Sequence, residues 1–471
     1  MRIALQLDTT DEDAGFARRV GVEHVVWGGP ESPLGYLDLE ILGAARRFFA
    51  DRGLSLGVIE NVPVTFYDRA MLGLPGRDVQ IDNVCRTLTS MGRAGIPVLG
   101  YHWMALGGIS TDQIRGRGGA LERHFDLEAA RRAPAAALDW RGPVRPGRSV
   151  HLPDVEVGAE QMWDNLVYFL RRVVPAAEAA GVKLAAHPDD APIPEFLGVA
   201  RILGSPAGLQ RLIDSVPSPA NGIDFCQGTI SEMPGVDVLE AIRAFGRQGK
   251  IHFAHFRDTR GTVPKFTEVF MDEGDTDMLA AVEAYRQVGY DGLIRADHTP
   301  WIVGDSPRAH RGFAFQIGYM RGLEHTVAQR GTGVPPSGEP PDLALAVDAD
   351  EDEELLFAQQ FGVSRVTPRA ASGPPHPGSP GEAARRNRVA QAGLAWLDPA
   401  PGKAPVALTN GTGADGGQAD PQSLERALAE ATPGGVVVVD RPAAMPDASD
   451  WPHQVQAFGA GYLRARLQGI G

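Results

Sequence analysis

The chain has 471 residues, a formal net charge of −14 and an apolar fraction of 43%. That length suits one large domain plus a smaller one, with enough apolar surface for a sizeable core. The acidic balance and the lack of a Lys/Arg cluster exclude a polyanion-binding surface, so no nucleic-acid partner is expected.

The N-terminus, MRIALQLDTT, reads as a strand and has neither the apolar stretch nor the cleavage site of a secretory leader. No apolar run approaches the roughly 18 residues needed to span a bilayer, so no membrane association is expected. The two cysteines, Cys85 and Cys226, cannot form a disulfide framework in a chain of this size, which fits a reduced, cytoplasmic setting.

Short apolar runs then alternate with longer amphipathic stretches, the pattern of a parallel α/β fold. The predicted strands are Ile3–Leu7, His24–Trp27, Leu54–Ile59, Val98–Tyr101, Lys183–His187, Asn221–Phe225, Ile251–His255 and Leu293–Ala296. Eight such strands can close a (β/α)₈ TIM barrel over residues 1–329. A helix is predicted over Ala159–Ala180, where Trp163, Leu166, Phe169, Leu170 and Val173 share a face and Gly181 ends the run. Between the fourth and fifth strands, Gly107–Pro153 is an excursion expected to serve as a lid or an oligomer contact.

The Gly/Pro-rich segment 330–341 reads as a linker. Residues 342–471 then echo the barrel. LALAVDADEDEELLFAQQFGVSRV follows IALQLDTTDEDAGFARRVGVEHVV, GGVVVVDRPAAM follows YDGLIRADHTPW, and FGAGYLRARL follows FQIGYMRGLE. The tail is therefore expected to be a partial, degenerate second α/β unit, keeping the first and last parts of a barrel. Asp440 matches Asp297 there, but Arg441 stands where the barrel has His298, and the tail has no cysteine. No catalytic metal is expected in it.

Four metal-ligand types close four consecutive predicted strands: His187, Cys226, His255 and Asp297. In a parallel barrel these ends share one rim, so the side chains can converge on one divalent cation. Taken singly, each has a plainer reading: a bonded structural histidine, a buried small cysteine, a helix-capping aspartate. Their repetition at equivalent positions is what points to a site. Arg257 follows His255 by two residues and could pair with a substrate carboxylate as a planar fork, or with Asp258 or Asp189. Asp189 and Asp190 could orient the ligand imidazoles, but capping the next helix is the favoured reading. His252 should point away from His255, because a strand alternates faces. Tyr101, His102 and Trp103 end the fourth strand and could line a pocket or pack in the core.

These residues carry a resemblance. ENVPV, GLPGRD, Gly92–Pro97, AGVKLAAHPDD, FCQG, HFRD, GDTDM and ADH occur in the order found in the mannonate dehydratase family. The resemblance implies a Mn²⁺- or Fe²⁺-dependent lyase that converts D-mannonate to 2-keto-3-deoxy-D-gluconate in glucuronate catabolism. It implies metal ligands at His187, Cys226, His255 and Asp297, proton transfer by His298, and a homodimer. Tyr101, His102 and Arg257 are the residues expected to contact the small sugar-acid substrate, with Arg257 also a catalytic candidate. Three departures from the family stand out: no tyrosine lies between Asp297 and Tyr319, Thr65 follows Val-Pro-Val where a histidine is common, and Tyr101-His102-Trp103 stands for Tyr-Asn-Phe. A metal-dependent sugar isomerase or epimerase, or a decayed non-catalytic barrel, are the alternatives.

Overall fold

The computed structural model describes residues 1–132, 155–330, 342–369, 380–397, 406–408, 420–431, 436–440 and 451–468. The chain divides into two compact units. The first comprises Met1–Ala17, Val22–Gln113 and Arg123–His298; the second comprises Arg18–Gly21, Ile114–Glu122 and Thr299–Gly471.

In the first unit, eight parallel strands close into a barrel. They are β1 (Arg2–Gln6), β2 (His24–Trp27), β3 (Ser55–Glu60), β4 (Val98–His102), β7 (Lys183–His187), β10 (Asn221–Cys226), β11 (Ile251–Phe256) and β14 (Leu293–Ala296). Each matches a predicted strand to within about one residue at either end. The reason is chemical: a strand buried on both faces is a continuous apolar run, with no alternation to mistake for a helix. Ala4, Val26, Val58, Val98, Ala185, Phe253 and Leu293 form one buried cluster, a single residue from each of seven strands. Their cluster fixes which side-chain parity faces the barrel interior. The predicted Ala159–Ala180 helix is present, buries the five expected residues and ends at Gly181, whose φ of 67° suits a residue without a side chain.

The excursion after β4 contains structure that its composition did not suggest. β5 (Asp112–Arg115) and β6 (Leu121–Asp126) join a four-stranded sheet with β12 (Thr259–Thr262) and β13 (Lys265–Glu268). β6 and β13 run antiparallel, with Phe125 opposite Phe266 and their rings stacked 5.2 Å apart. This pairing carries Arg123 and Glu268 toward the C-terminal ends of the barrel strands, where Glu268 meets His298. The part of the excursion from 133 to 153 lies outside the described residues. A two-stranded ribbon, β8 (Glu195–Phe196) with β9 (Val199–Ala200), completes the first unit's sheets among the described residues.

The expected linker also lies outside the described residues, apart from Arg330, which still belongs to the His310–Arg330 helix. Beyond it stands a five-stranded parallel sheet of order β17-β16-β15-β19-β18. Its strands are β15 (Asp342–Val347), β16 (Arg365–Pro368), β17 (Ala395–Trp396), β18 (Val406–Leu408) and β19 (Val436–Val439).

Candidate metal centre

Interior parity runs up each strand in steps of two. From Val58 it reaches Glu60, from Ala185 His187, from Phe253 His255, and from Leu293 Arg295 and then Asp297. On β10, Asp224 is in register with Phe253 and Cys226 with His255, so both carry the same parity. His187, Cys226 and His255 each present a ligand atom within 4.8 Å of the other two. Asp297 Oδ2 lies 4.0 Å from the Cys226 sulfur and 3.6 Å from His255 Nδ1. The four side chains expected to converge are thus drawn together, all but His187 almost fully buried.

Two arginines hold Asp297. Arg257 Nε donates to Oδ2 at 3.0 Å, and an Arg295 terminal nitrogen bonds Oδ1. Burial would raise Asp297, but Arg295, then His298, His255 and Arg257, keep its carboxyl well below the usual range. Burial would likewise raise the Cys226 thiol; Arg257 and His187 outweigh it and bring it well below the ordinary thiol range. Cys226 in turn overcomes the burial penalty on His187 and lifts the imidazole to about 9.

Behind His255 stand two further carboxylates. His255 Nε2 is 3.1 Å from Asp224 Oδ2 and 3.2 Å from Glu60 Oε1. Burial lowers His255, but Asp224 and Glu60 more than reverse this. Burial raises Asp224 to about 7, while Arg295 and His255 overcome burial at Glu60 and bring it down to about 2. Both nitrogens of His255, both carboxylate oxygens of Asp224 and Glu60 Oε2 are buried without a hydrogen bond. Imidazole, thiol and carboxylate donors, with several buried polar atoms that meet charged neighbours but lack a well-formed hydrogen bond, fit a divalent transition metal.

His298 follows Asp297 at the edge of this cluster and keeps its side chain 21% exposed. Its Nδ1 lies 2.8 Å from Glu268 Oε2 and its Nε2 3.5 Å from Asp297 Oδ1. His102 is paired in register with His187, and its Nδ1 accepts a bond from the Met104 amide at 3.4 Å. Burial, and then His187, lower His102 to about 4, so it is neutral.

Three expectations need correction. Tyr101 has the opposite parity to Val98 and His102; it is 4% exposed, and its ring lies 6.0 Å from Phe169 on the Ala159–Ala180 helix. It packs in the helix layer instead of lining the site. Arg257 is 1% exposed and offers no open fork to a substrate. Besides Asp297, it bonds Glu232 Oε1 at 2.9 Å, Asp190 Oδ2 at 2.9 Å and the Thr229 hydroxyl at 3.0 Å. Asp189 and Asp190 do not cap the next helix, Pro206–Ser215, whose cap is Ser205. Asp189 instead accepts the Leu203 amide at 2.6 Å, and Asp190 takes Arg257. His252, as expected, points away and bonds the Leu184 carbonyl at 2.8 Å.

A family model described as D-mannonate dehydratase matches residues 14–132 and 148–332. The chain belongs to that family. A mannonate dehydratase from Thermotoga petrophila is 34% identical over 327 residues, covering 64% of this chain and 90% of the relative. Mannonate dehydratase 2 of Halalkalibacterium halodurans is 33% identical over 291 residues, covering 59% and 84%. Among solved structures, the mannonate dehydratase of Streptococcus suis serotype 2 superposes with a TM-score of 0.62 at 26% identity, covering 72% of this chain and 97% of the other.

For a mannonate dehydratase family member, the sequence reading left out the partners of the strand-end residues. Glu60, Asp224 and Arg295 had a usable signal, since each shares parity with a core residue two positions away or in register across the ladder. Glu232 and Glu268 had none. One follows a five-residue helix, Gln227–Ser231, and the other ends a short hairpin strand.

Proposed function

We propose that this chain is a sugar-acid dehydratase that removes water across C2 and C3 of D-mannonate or a close relative, giving 2-keto-3-deoxy-D-gluconate. The observation that carries the reading is the Glu268–His298 pair set beside the four strand-end donors. The similarity to mannonate dehydratases over most of the barrel supports it. We place the reaction in glucuronate breakdown, in the cytoplasm.

In the reaction a base takes the C2 proton, the C2–H electron pair becomes the C2–C3 double bond, and the C3 hydroxyl leaves with a proton as water. The enol then tautomerises to the 2-keto acid. His187, Cys226, His255 and Asp297 would hold Mn²⁺ or Fe²⁺, which supplies Lewis-acid stabilisation of negative charge growing next to the substrate carboxylate. The chain's own part is the proton. Burial, with Arg123 nearby, lowers His298 and favours its neutral form. Glu268 at Nδ1 selects the tautomer protonated there, leaving Nε2 to exchange a proton with substrate. Arg257 is a positioning residue: buried among Asp297, Glu232 and Asp190, it fixes the Asp297 carboxylate.

The test is His298→Ala, assayed with metal-reconstituted protein on a panel of six-carbon sugar acids. Loss of a general acid–base group should lower kcat by about 10²–10⁴-fold. Metal content should be unchanged. A variant as active as the parent would overturn the assignment. A parent that binds metal but conserves substrate mass would replace dehydration with isomerisation.

A further inference from the structure

The second unit repeats the barrel's ladder in detail. β15 lies between β19 and β16 as β1 lies between β14 and β2. β17 flanks β16 as β3 flanks β2, and β18 flanks β19 as β11 flanks β14. Register is kept as well. Ile3 pairs with Ile294, and its counterpart Leu343 pairs with Val437. Leu5 pairs with Val25, and Leu345 with Val366. Five strands of this half-barrel thus reproduce one arc of the full cylinder.

Each copy ends in a helix, and within the second unit these two helices pack together. The sequence echo makes Phe315 equivalent to Phe458, Gly318 to Gly461, Tyr319 to Tyr462 and His325 to Gln468. A Cβ placed on Gly318 would sit 2.0 Å from the Phe458 carbonyl oxygen. A Cβ placed on Gly461 would sit 2.0 Å from the Phe315 carbonyl oxygen. The Tyr319 hydroxyl donates to Gln468 Oε1 at 2.6 Å, and the Tyr462 hydroxyl bonds His325 Nδ1. Every contact in this set occurs twice, with the two helices exchanging roles. Contacts inside each copy repeat too: Arg321 donates to the Gly21 carbonyl and Arg464 to the Gly362 carbonyl.

Exchange of roles is the defining property of an isologous, two-fold contact, in which residue i meets j and j meets i. Two unrelated helices have no reason to satisfy it at glycine, carbonyl and tyrosine positions together. Two copies of one self-complementary helix satisfy it automatically. We propose that the His310–Arg330 helix carries a face built to pair with a second copy of itself, and that the Trp451–Gln468 helix of the same chain occupies that face. The C-terminal half-barrel is then a covalently supplied partner. The protein is self-paired and monomeric in solution, in place of the homodimer that the family resemblance implied.

Sedimentation of the intact 471-residue chain is the first test. The expected result is one species near 50.3 kDa. A wild-type species of twice that mass at micromolar concentration overturns the proposal. The second test uses two substitutions in the full chain. Gly461→Trp expels the C-terminal helix and leaves the His310–Arg330 face open, so a concentration-dependent dimer should appear. Gly318→Trp expels the same helix but destroys the face itself, so the protein should stay monomeric. Mn²⁺ uptake at the barrel site reports that the first unit is still folded. A Gly461→Trp protein that keeps its metal and remains monomeric overturns the proposal. If the tryptophan variants lose metal, Gly318→Ala and Gly461→Ala decide it. A two-fold contact requires similar drops in melting temperature for both, and clearly unequal drops overturn it.

Discussion

Arg257 settles the charge balance of the site. One guanidinium meets Asp297, Glu232 and Asp190 at 2.9–3.0 Å, with Glu268 3.8 Å away. Burial, and then Asp190, push Glu232 well above the usual carboxylate range, and Arg257 opposes this. Taking away the cation strands several carboxylates in a dry interior, which costs far more than the net value of any one pair. Arg257→Met should therefore lower the unfolding free energy by about 3–5 kcal/mol, read from denaturant midpoints. Arg257→Lys should recover part of that loss, since it restores the charge but not the fork. A methionine variant of wild-type stability would show that the carboxylates had simply taken up protons. At this scale the sequence was informative where a ligand type closes an apolar run, as at His187, Cys226 and His255. It misled at Arg257, because spacing from a ligand says nothing about which carboxylates a long side chain will find. It misled at Tyr101 only for want of counting parity from Val98.

Elements were legible in proportion to their burial. The barrel strands are built around short apolar runs delimited by turns, so their ends could be placed from the sequence even where a buried polar residue such as Asp224 or Arg295 interrupts the run. β5, β6, β12 and β13 are short, and the pairing of β6 with β13 that joins them into one sheet links Phe125 to Phe266, far apart in sequence, so nothing local marks it. Helix packing adds a constraint of its own. The Arg77–Ala94 and Ala159–Ala180 helices approach so closely that a Cβ on Gly92 would lie 2.3 Å from the Ala180 carbonyl oxygen. Gly92→Ala must push one helix off the other, and overpacking of this kind costs about 1–3 kcal/mol. Gly158 precedes the second helix with φ −73° and nothing within 4 Å of its Cβ position. Gly158→Ala should stay within about 0.5 kcal/mol of wild type. Equal effects of the two substitutions on thermal melting would show that the helices are free to separate.

At the scale of the whole molecule, the repeated strand order was foreshadowed by three echoed segments, whereas the exchange of contacts between the terminal helices was not, because it exists only once both units are folded. The two copies differ in chemistry as well as in size. Donors for the proposed cation would come from β7, β10, β11 and the residue after β14, so binding would tie together four staves of the full cylinder. The half-barrel keeps Asp440 where the barrel has Asp297, but residues 342–471 have no cysteine to match Cys226. A cation that binds the folded barrel and not the unfolded chain stabilises it by about 2.7 kcal/mol at 100 times its dissociation constant. Calorimetry of the intact chain should show the barrel transition rising on addition of Mn²⁺ and returning with a chelator. A transition belonging to the C-terminal unit should not follow the metal. His187→Ala should abolish the rise, because it removes one of the three donors grouped within 4.8 Å. If the wild-type transition ignores Mn²⁺, Fe²⁺ and Zn²⁺ alike, the four donors are a structural cluster and the proposed dehydration has no electrophile.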